Sequence, residues 1–79
     1  MSERDKFQGR LSEQVLEAKR IELRLKGLCH SLRDLLDPFE GVEKMKGDQI
    51  ADQALQFATL QIELKQVQTI IAEIRDILA

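Results

Sequence analysis

Seventy-nine residues suffice for one domain at most, and 12 basic against 14 acidic side chains leave a net charge of −2. That balance gives the molecule as a whole no electrostatic draw toward nucleic acid or an anionic membrane. One third of the residues are charged and 43% are hydrophobic, a mixture that suits long helices and argues against disorder.

In chain order, the first predicted element is a helix over about residues 3–36, starting near Ser2. Phe7, Leu11, Ala18, Ile21, Leu25, Leu28, Leu32 and Leu35 recur at alternating spacings of three and four, the period of a helix with one apolar stripe. Gly9 and Gly27 weaken it by about 1 kcal/mol each relative to alanine, and Gly27 falls on the solvent side of the stripe. Asp37-Pro38-Phe39-Glu40 ends this helix, because a residue before proline avoids helical geometry and proline suits the first position of a new helix. Asp37 can cap, with Glu40 three residues later as in a capping box. Residues 37–47 are therefore a structured loop or short helical turn closed by Gly47. Asp48 is expected to cap a second helix over about 48–78, where Ile50, Phe57, Leu60, Leu64, Val67, Ile71, Ile74 and Leu78 repeat the stripe.

Two helices of near-equal length around one proline predict an all-α fold, an antiparallel two-helix hairpin spanning 1–79 as a single domain. A continuous rod would carry Pro38 in its interior at a cost of about 3 kcal/mol. Folded back, the stripes mate as a coiled-coil-like seam. Its layers pair Phe7 with Leu78, Leu11 with Ile74, Ala18 with Val67, Ile21 with Leu64, Leu25 with Leu60, Leu28 with Phe57, and Leu35 with Ile50. Gln14 opposite Ile71 and Gln53 opposite Leu32 are the polar layers, expected to reach water or else to penalise wrong registers or bond across an oligomer interface. Arg24 and Glu63 occupy facing flanks where they can pair.

A second apolar set lies off the seam. Leu16, Leu23, Leu55 and Ile62 point nearly opposite it, and Val15, Cys29, Leu36, Ile70 and Ile77 widen its flanks. A hairpin has no third layer to cover them, so self-association is expected, two hairpins forming a homodimeric four-helix bundle. Leu16, Leu23, Leu55, Ile62, Ile70 and Ile77 are the candidate interface. Ala51, Ala54 and Ala58 give helix 2 a small-residue side.

Chemistry finds little support. No glycine-rich phosphate loop, paired-cysteine motif or nucleophile elbow is present, and a straight hairpin is expected to lack a concave site. Cys29 and His30 are adjacent, so they diverge by about 100° on a helix and cannot easily share a metal. They read as a flank-packing and a solvent-facing residue. No catalytic residue, cofactor, metal or small-molecule substrate is expected. Nor is a membrane role, since no stretch approaches the roughly 20 apolar residues of a span and the charged Met1–Lys6 segment is no secretory signal. A lone cysteine suits a reducing, cytoplasmic setting.

Two surfaces remain as partner sites. Phe39, Val42 and Met45 stand three apart in the loop, either folding down to plug the end of the helical pair or forming a docking tip. Residues 1–36 carry eight basic and six acidic side chains, whereas 37–79 carry four and eight. Lys19, Lys26 and Arg33 recur every seven residues, with Arg20 beside them, a stripe able to track phosphates. The layout resembles that of small dimeric helical hairpins of the Rop type, which bind RNA. The function expected is a non-enzymatic protein–protein interaction module, an adaptor, assembly factor or inhibitor working as a self-associating hairpin. The alternative is a small dimeric nucleic-acid-binding protein using the helix 1 stripe.

Overall fold

A computed structural model describes residues 2–79; Met1, the first residue of the predicted domain, lies outside the described residues. Two long helices, α1 (Glu3–Leu35) and α2 (Gly47–Leu78), pack against each other, joined by a loop holding one 3-10 turn at Val42–Lys44. The molecule is a rod of 61 × 17 × 14 Å with a radius of gyration of 18.0 Å, against about 12 Å for a compact chain of this length. A helix the length of α1 measures about 50 Å, so α2 must run back alongside it. The free ends meet accordingly, with the Arg4 guanidinium donating to the Leu78 carbonyl at 3.3 Å.

Every residue of the two predicted stripes is buried or half-buried, Gln14 and Gln53 included. The residues buried outright are Ala18, Ile21, Leu25, Leu60, Ile71 and Ile74, down to 2% exposure for Ile74. Ile21, Leu25 and Leu60 form one cluster, with Leu28, Phe57, Leu64 and Val67 packed on it. Those seven residues include both members of three predicted layers, Ile21/Leu64, Leu25/Leu60 and Leu28/Phe57. No helix is long and apolar enough to cross a membrane among the described residues.

Local signals explain most of the boundaries. Ser2 caps α1, its hydroxyl accepting from the Asp5 N–H at 3.3 Å, and Glu3 and Asp5 add negative charge where the helix dipole favours it. Past Leu35, the Asp37 carboxylate accepts from the Phe39 N–H at 3.0 Å and the Asp37 carbonyl from the Glu40 N–H at 3.1 Å. This is a turn held by aspartate, and no helix follows it directly. The expected capping box is thus replaced: Gly41 is extended (φ −61°, ψ 130°) and separates Glu40 from the 3-10 turn.

The start of α2 also differs from expectation. Lys46 occupies the cap position and makes no side-chain cap bond, and Gly47 is the first helical residue. Its Lys46 carbonyl already accepts from the Ile50 N–H at 3.0 Å. Asp48 sits inside the first turn, so it favours the helix through its charge and not as a cap. Gly47 opens the helix where it was expected to close the loop.

Candidate interaction surfaces

Helical geometry decides which side chains remain outside. With one stripe turned inward on each helix, the residues opposite it have nothing to touch. Leu16, Leu23, Leu55 and Ile62 are all more than half exposed, Leu23 reaching 70%, and Ile77 and Leu36 are exposed too. Ile70 and Val15 are half-buried, already partly covered by the opposite helix. Ile70 is therefore a weaker member of the expected interface than the other five.

The three apolar loop residues do not fold down together as a plug. Phe39 is 97% exposed and Val42 79%, whereas Met45 is half-buried. The three do not share one side, because residues 38–41 are not helical and spacing by three has no common face there. Met45 alone of the three is half-buried, while Phe39 and Val42 project into solvent. Asp37, Glu40, Glu43 and Asp48 outnumber Lys44 and Lys46 around them.

Lys19, Arg20, Lys26 and Arg33 are all exposed along α1. Arg20 is tied to Glu17 at 3.1 Å, three residues back, which leaves Lys19, Lys26 and Arg33 as the regular stripe. The expected Arg24–Glu63 pair is not formed: the Arg20–Glu17 contact is the one ion pair among the described residues. Both members of the expected pair are exposed, and holding two long chains together in water gains little.

Cys29 is exposed and not packed on the flank, because its position beside the seam faces open solvent in a lone hairpin. His30 is exposed as expected, but it lines a shallow, solvent-open depression of about 780 Å³ with Leu32, Arg33, Asp34, Leu36, Asp37 and Pro38. A straight hairpin was expected to lack a concave site, and this open depression lies where α1 gives way to the loop. No group of three His, Cys, Asp or Glu side chains able to hold a metal occurs among the described residues.

The seam holds one feature that periodicity missed. The Gln53 amide oxygen is buried without a hydrogen-bond partner, although the side chain was expected to reach water. An orphaned buried acceptor of this kind costs about 1–3 kcal/mol. No family model, curated protein or solved structure matches the chain.

Proposed function

We propose that this chain is a non-enzymatic protein–protein interaction module that works as a self-associating helical hairpin. The observation that carries the reading is that only six apolar residues are buried outright while eight large apolar ones are left exposed. Accessible surface gives the same answer. The chain exposes 6162 Å², against about 4,900 Å² for a compact monomer of its 9.1 kDa. The excess of roughly 1,250 Å² per chain exceeds the ~800 Å² that each partner buries in an ordinary stable complex. In its finer form the stripes make a coiled-coil seam, and the smallest closed assembly is a homodimeric four-helix bundle. Adaptor, assembly-factor and inhibitor roles all use such a scaffold, and the Phe39–Val42 tip offers it a second contact.

Cys29 supplies the test. It is the only cysteine and it is exposed, so donor and acceptor dyes can be placed there in two separate batches. Mixing the batches at micromolar concentration is expected to give energy transfer that fades on dilution. No transfer at high micromolar concentration contradicts the reading.

A second reading has the exposure of Lys19, Lys26 and Arg33 in its favour: a nucleic-acid-binding dimer of basic stripes. Glu22 and Asp34 interrupt the surroundings of that stripe, and no aromatic stands on α1's outer face for base stacking. It requires binding to hairpin RNA or duplex DNA that falls steeply with salt and is lost on changing all three residues to glutamine. An unshifted nucleic acid at low salt removes it.

A further inference from the structure

We draw no further inference here: the strongest candidate, the pair of opposed apolar edges of the rod where Leu16 and Leu23 stand exposed on α1 and Leu55 and Ile62 on α2, carries nothing, since nothing in the structure shows what covers it.

Discussion

Ile21 and Gln53 mark the two extremes of what a single seam residue contributes. Ile21 is 3% exposed and sits in the central cluster with Leu25 and Leu60. Ile21→Ala should therefore cost about 2–4 kcal/mol, read as a lowered midpoint in urea. The same truncation at exposed Leu23 should leave the stability of the isolated hairpin within about 0.5 kcal/mol. Gln53 works in the other direction, because its buried amide oxygen has no partner. Gln53→Leu removes that orphan and continues the apolar stripe, so thermal unfolding should move up by the equivalent of about 1 kcal/mol. An unchanged or lower melting temperature would mean that the amide is satisfied in solution, by water or by a second chain.

Among the elements, α1 carries avoidable weakness. Nothing lies within 4 Å of a methyl group built at Gly9 or Gly27, and neither has a positive φ. Gly27→Ala should stabilise the hairpin by up to about 1 kcal/mol, seen as a higher denaturation midpoint with the same slope. The two long helices were legible in the sequence because burial in a helical pair repeats with the helix itself; from Phe7 to Leu35 and from Ile50 to Leu78 every stripe position turned inward. The loop was legible only as a break. Its details depend on backbone angles that side-chain type does not dictate: extended Gly41 and Met45 isolate the 3-10 turn, and α2 starts at Gly47, ahead of the better cap, Asp48. Spacing by three promised a common side for Phe39, Val42 and Met45, but a helical period means nothing across non-helical residues. The surplus of apolar side chains was readable from the stripe alone. Their division between two opposed edges needed the pairing of the helices.

At the scale of the whole molecule, shape and surface tell one story. A rod 61 Å long and 17 Å wide keeps too little apolar surface inside to use what its sequence supplies, and small domains of this kind gain stability by association. Stability should then depend on protein concentration: thermal unfolding midpoints rise with chain concentration when folding and assembly are coupled, and a midpoint that ignores concentration would separate the two. The most direct measurement is sedimentation equilibrium of the unmodified chain from low to high micromolar concentration. Self-association predicts a weight-average mass well above the 9.1 kDa of one chain, increasing as concentration rises. A mass that stays at one chain across that range contradicts it.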